Sequence, residues 1–135
     1  AQAAGLDLRT VEDELRGEFE AERGTERDRD EGLEALATYA VRDHVATRYD
    51  PDYDGEIPEV REFDPDCGSE LGGDVDELSV DPANFESEGA LAAALADALL
   101  EQSSFETLAT REAGAEAVAV HVTPEDTVAV AYVVC

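Results

Sequence analysis

The 135-residue chain contains no lysine, no methionine and no tryptophan, and aromatic residues make up only 6% of it. Its 9 basic residues are all arginine and stand against 35 acidic ones, for a formal net charge of -26. Such a shortage of positive charge excludes a nucleic-acid binder that works by neutralising phosphates. It equally excludes a polybasic membrane-surface protein. No run of roughly 18 apolar residues occurs, so no segment has the makeup of a membrane-spanning helix. A Gly-rich phosphate loop is absent, as is a Gly-x-Ser-x-Gly nucleophile elbow. The cysteines, Cys67 and Cys135, lack metal-ligand spacing and thiol-protease context. An even pair in a small domain points to a disulfide and an oxidising location, with two buried thiols as the alternative.

What is present is a 43% hydrophobic fraction arranged in periodic segments. That favours a folded chain over a disordered one, despite the charge. At about 1 M salt the Debye length is roughly 3 Å, which screens the repulsion among so many carboxylates. An acidic, lysine-free composition is therefore read as that of a halophile, its charge serving mainly as solvation. The length fits one domain, residues 1–135. Because the chain starts at Ala1 and has no Met, a signal or anchor is expected to have been removed.

Leu8, Val11, Leu15 and Phe19 recur at spacings of three and four and predict a helix over 6–23, with Thr10 and Asp13 as a capping box and Gly24 as its stop. Leu33, Leu36, Ala37, Ala40, Val41, His44, Val45, Arg48 and Tyr49 predict a second helix over 31–49, closed by Pro51. Residues 50–88 read as a long irregular acidic region, with a short strand near 58–63 or 68–72. A loop of that length is pinned, or carries the function, or both. A third helix is expected over 87–109. The Ser103-Ser104 pair is read as a break in that helix rather than as nucleophiles. Residues 116–122 and 127–134 alternate as strands around a turn at Thr123–Asp126 and predict a C-terminal antiparallel hairpin. Both faces of the hairpin are apolar, so helices must cover both. The expected fold is α+β, an α/β/α sandwich with a small antiparallel sheet.

The segment from Asp50 to Ile57 matches the first positions of an EF-hand loop and makes Asp50, Asp52 and Asp54 calcium candidates. The match then breaks: the closing ligand falls on Arg61, and Pro58 stands where the exiting helix would begin. No other cofactor is implied. His44 and His121 are read as hydrogen-bonded core residues, paired only if the second helix packs near His121.

The stretches from Leu99 to Leu108, Ala115 to Val120 and Thr127 to Cys135 resemble the end of the CAP superfamily domain, the fold of cysteine-rich secretory proteins, venom antigens and plant pathogenesis-related proteins. Phe19 to Arg23, Leu36 to Tyr49 and Cys67 to Leu71 resemble its earlier segments. The resemblance implies an α/β/α sandwich of haloarchaeal type. It also implies a lost metal cavity, because the family's two cavity histidines would fall near Asp50 or Pro51 and at Phe105. Glu70, Phe105 and His44 mark the expected remnant. A Cys67–Cys135 bridge fits the resemblance, stapling the long loop to the last strand.

The function expected from these features is a non-catalytic extracellular or cell-surface binding domain, with a protein partner or self-association, and region 50–88 as its contact surface. A structural subunit of an extracellular assembly or filament is the alternative, since salt screening would let such acidic subunits pack. A hydrolase using Glu70, Asp50, Asp52 and Asp54 is the third reading.

Overall fold

The computed structural model of the chain describes residues 2–55 and 60–135. A short hairpin comes first: β1 (Gln2–Ala3) pairs antiparallel with β2 (Leu6–Asp7). Helix α1 (Leu8–Arg23) follows and buries Leu8, Val11, Leu15 and Phe19, the stripe its spacing predicts. Gly24 ends it at φ 80°, donating its N–H to the Glu20 carbonyl. The expected capping box at Thr10 and Asp13 does not form. Asp7 is the cap instead, accepting the Arg9 N–H at 3.1 Å and the Thr10 hydroxyl at 3.0 Å. Thr10 lies inside the first turn, where its hydroxyl can serve the cap but not be one.

Helix α2 (Glu31–Tyr49) starts at Asp30, whose carboxylate accepts the Leu33 N–H at 2.9 Å. The same carboxylate takes the Asp66 N–H at 3.0 Å and so pins the following loop to the helix start. Hydrogen bonds from Leu33 and Asp66 hold the Asp30 carboxyl below its ordinary range. Gly32 makes the crossing possible, because a Cβ there would lie 2.4 Å from the Phe63 carbonyl oxygen.

The region expected to be irregular contains a full strand, β3 (Gly72–Leu78), after a 3-10 turn at Val60–Phe63. The short strand looked for near 58–63 or 68–72 is therefore displaced toward the C-terminus; Pro58 and Glu59 lie outside the described residues. Residues 87–109 form two helices, α3 (Glu88–Leu100) and α4 (Ser103–Thr110). The interruption falls just before Ser103-Ser104, the break read from the sequence. Strands β4 (Glu116–Val122) and β5 (Val128–Val134) form the C-terminal hairpin.

The sheet runs β3-β5-β4, antiparallel throughout. Gly72 pairs with Val134 and Leu78 with Val128 on one side; Glu116 pairs with Val134 and Val122 with Val128 on the other. The alternation along β4 and β5 sorts side chains by size. Val120, Val128, Val130, Tyr132 and Val134 face α1, α3 and α4 in one core. Ala117, Ala119, Ala129, Ala131 and Val133 face α2 in the other. Small residues on that face let α2 sit close to the sheet. The layering is the expected α/β/α sandwich. Cys67 and Cys135 are disulfide-bonded, with Cα atoms 5.1 Å apart.

The β4 margin is tied down by buried charge. Glu116 is fully enclosed. Arg23 grips its carboxylate with two bonds of 2.9 and 2.8 Å, and Tyr132 donates its hydroxyl at 2.6 Å. Arg27 and Arg16 each stand 3.4 Å away. Arg27 also donates to the Leu108 carbonyl at 2.9 Å, and Arg23 to that of Ala109 at 3.3 Å. Phe19 stacks on Tyr132 with ring centroids 4.4 Å apart. Burial, then the Glu116 carboxylate, push the Tyr132 phenol above its ordinary range.

Candidate functional site

The apolar stripe of α2 is wider than its contact with the sheet. Leu33, Ala37, Val41 and Val45 are buried against β4 and β5. The neighbouring row, Leu36, Ala40 and His44, points along the sheet toward β3 and remains half-exposed. Two adjoining open hollows result, of about 420 and 440 Å³, sharing Leu36, Ala40 and Val75. Together they form a trough between α2 and β3. Tyr39, Asp43, Thr47 and Arg48 extend it along the helix. Leu71, Gly72, Gly73 and Val133 floor its other end.

The rim is acidic and internally braced. Asp43 accepts the Tyr53 hydroxyl at 2.7 Å, a bond that pushes the Tyr53 phenol above its ordinary range. Glu77 accepts Arg48 at 2.7 Å and the Tyr49 hydroxyl at 2.8 Å. Burial pushes the Glu77 carboxyl up, but hydrogen bonds from Tyr49 and Thr127, with Arg48 and His44 nearby, outweigh it and hold the group below its ordinary value. His44 Nε2 is buried with no hydrogen-bond partner. His44 is half-buried in the wall of the trough rather than in the core, where it was expected.

No family model, curated protein or solved structure matches the chain.

The three residues expected to mark a remnant cavity do not converge. Phe105 is fully buried in the core under α1 and α3. His44 stands on the opposite face of the sheet, in the trough. Glu70 is exposed, and its carbonyl accepts a hydrogen bond from Arg111. Nor do the histidines pair. His121 lies in a separate hollow with Thr38, Val41 and Arg42, on the other flank of α2 from His44. Burial, then Arg42, holds the His121 imidazole below its ordinary value.

Among the calcium candidates, Asp50 turns its carboxylate back to accept the Asp52 N–H at 3.0 Å. The rest of that motif, Glu56, Ile57 and Pro58, lies outside the described residues. Among the described residues, no group of three or more His, Cys, Asp or Glu converges as a metal site. Ser104 donates to Asp74 at 2.8 Å, which ties α4 to β3.

Leu36, Ala40 and Val75 were not singled out as site residues by the sequence. The available signal was the width of the α2 stripe, which has more apolar rows than one face of a sheet can cover.

Proposed function

We propose that the chain is a non-catalytic binding domain that meets its partner through the α2–β3 trough, outside the cell or at its surface, in concentrated salt. The observation that carries this reading is the row of half-exposed apolar residues, Leu36, Ala40 and Val75, beside a sheet whose central strand is buried throughout. Contiguous apolar surface rimmed by polar groups is how partner sites differ from ordinary surface. The trough includes β3 and so draws on the 50–88 region. The Cys67–Cys135 bridge supports an oxidising location. The lysine-free acidic composition supports a saline one. Kinship with CAP domains that have lost their cavity belongs to the same reading. A carboxylate hydrolase is disfavoured by placement: Glu70 is exposed, while Asp50 caps its own turn.

The test compares two baits, the wild-type chain and Leu36→Glu, incubated with the source organism's cell-envelope fraction in multi-molar salt. The expected result is a partner held by the wild type and reduced at least tenfold on the variant, at unchanged melting temperature. Identical capture by both baits overturns the reading. A wild-type species of filament mass in light scattering, unaffected by Leu36→Glu, transfers it to a structural subunit.

A further inference from the structure

The two margins of the sheet are built differently, and the difference says what the trough accepts. Strand β4, the other edge, is covered in part. Glu12 of α1 accepts the Val120 N–H at 2.8 Å, and the Glu116 N–H goes to the Asp28 carbonyl at 3.2 Å. Strand β3 pairs with β5 on one side only, and among the described residues no strand covers the other. Residues 72–77 are half-exposed or exposed, whereas β5 is buried along its whole length. In the middle of β3, the Val75 N–H is taken by the carboxylate of Asp74 next to it. The rest of this edge is a template for another strand, which has to displace the Asp74 carboxylate from the Val75 N–H.

Building on the reading of the trough as the contact surface, we infer that its occupant is an extended polypeptide segment of alternating apolar and basic residues, added as a fourth strand on β3. The alternation follows from the pleat, which sends successive side chains to opposite faces. On the α2 face, Val75 lies beside Leu36 and Ala40, so the added strand presents apolar residues there. On the α4 face, Asp74 and Asp76 project beside Ser104 and Gln102, so it presents Lys or Arg. Opposite charges on neighbouring strands attract, and like charges repel. A second copy of this chain is a poor occupant for that reason. Edge-to-edge pairing would set the carboxylates of one β3 directly opposite those of the other.

The probe is a fluorescently labelled peptide, Lys-Val-Lys-Val-Lys-Val-Lys, titrated with the full chain by anisotropy in about 1 M salt, where the Debye length is roughly 3 Å and long-range attraction is screened. The expected result is binding at least tenfold tighter than that of the same residues in two blocks, or of the Glu-for-Lys peptide. N-methylation of one alternate set of peptide amides should weaken binding tenfold or more, and of the other set should leave it intact. Asp74→Lys with Asp76→Lys should reverse the preference toward the Glu peptide. If that variant does not fold, the two methylated peptides alone decide. Equal binding of alternating and blocked peptides, or of both methylated forms, overturns the inference in favour of unspecific charge attraction. Dimerisation of the chain that excludes the peptide overturns it in favour of a second copy. If Leu36→Glu abolishes partner capture while the peptide fails, the trough reading stands and the strand inference falls. If the peptide binds but capture ignores Leu36→Glu, the reading of the trough falls instead.

Discussion

The β4 margin and the β3 margin belong to the same three-stranded sheet and share the same central strand, yet they solve opposite problems. At β4 the charged groups point inward. Glu116, Arg23 and Arg27 are sealed off, and Glu12 reaches across to occupy an edge amide. At β3 the charged groups are less enclosed: Asp74 and Asp76 are half-buried against Ser104 and Gln102, and Glu77 braces the end of α2 through Arg48 and Tyr49. The lesson is that charge has two uses in this acidic chain. Buried and paired, it fixes which segments meet. Half-buried along the open edge, it is the charge that the proposed fourth strand would meet.

The contrast can be broken most sharply at Glu116. Glu116→Gln leaves Arg23 and Arg27 enclosed without a counter-charge, and should destabilise the fold by about 3–5 kcal/mol. Denaturant unfolding in high salt measures it. The matching change on the open margin, Asp76→Asn, should stay within about 0.5 kcal/mol, as surface substitutions do.

Next in size is the covalent tie. Cys67 and Cys135 are 68 residues apart, so removing the bridge as the Cys67→Ser, Cys135→Ser pair should lower stability by about 2–4 kcal/mol. Because the bond joins the loop before β3 to the end of β5, amide exchange should rise first in β3 and least in β4. Uniform loosening of both margins would remove the asymmetry.

The smallest expected effect sharpens the comparison most directly. Glu12→Ala and Asp74→Ala each release one edge amide, from Val120 and Val75 respectively. The Val120 amide lies against α1, and leaving it unpaired should lower stability by about 1–2 kcal/mol. Water can replace Asp74 at the open edge, so that variant should lose less than about 0.5 kcal/mol. Paired melting curves at matched salt would show it.

Much of this fold is legible in the residues. The spacing of Leu8, Val11, Leu15 and Phe19 reports a helix because each of those side chains must reach one core, and all are buried. The alternating valines and alanines of β4 and β5 report a sheet covered on both faces, and the two cores lie where they place them. Strand β3 was illegible because its stability is borrowed. Gly72-Gly73-Asp74-Val75-Asp76 has little β-propensity of its own, and one of its faces is polar because Ser104 and Gln102 of the α4 region receive it. The helix expected over 87–109 is interrupted at Glu101-Gln102, beside the Ser103-Ser104 pair that the sequence marks as its break, and Phe105 is buried after it. The Glu116 cluster gives no local signal at all, since its partners lie far away along the chain. The trough was half-legible, its α2 wall in the stripe and its β3 wall hidden with the strand.

That separation has a consequence for how the molecule is made. Arg23 and Glu116 are 93 residues apart. At about 5–20 residues per second of synthesis, α1 waits roughly 5–20 s for the strand that receives it. Its apolar stripe has no sheet to rest on until β4 and β5 have emerged. Until then α3 is the main neighbour α1 can pack on, and the two-sided core closes only when β5, the central strand, takes its place.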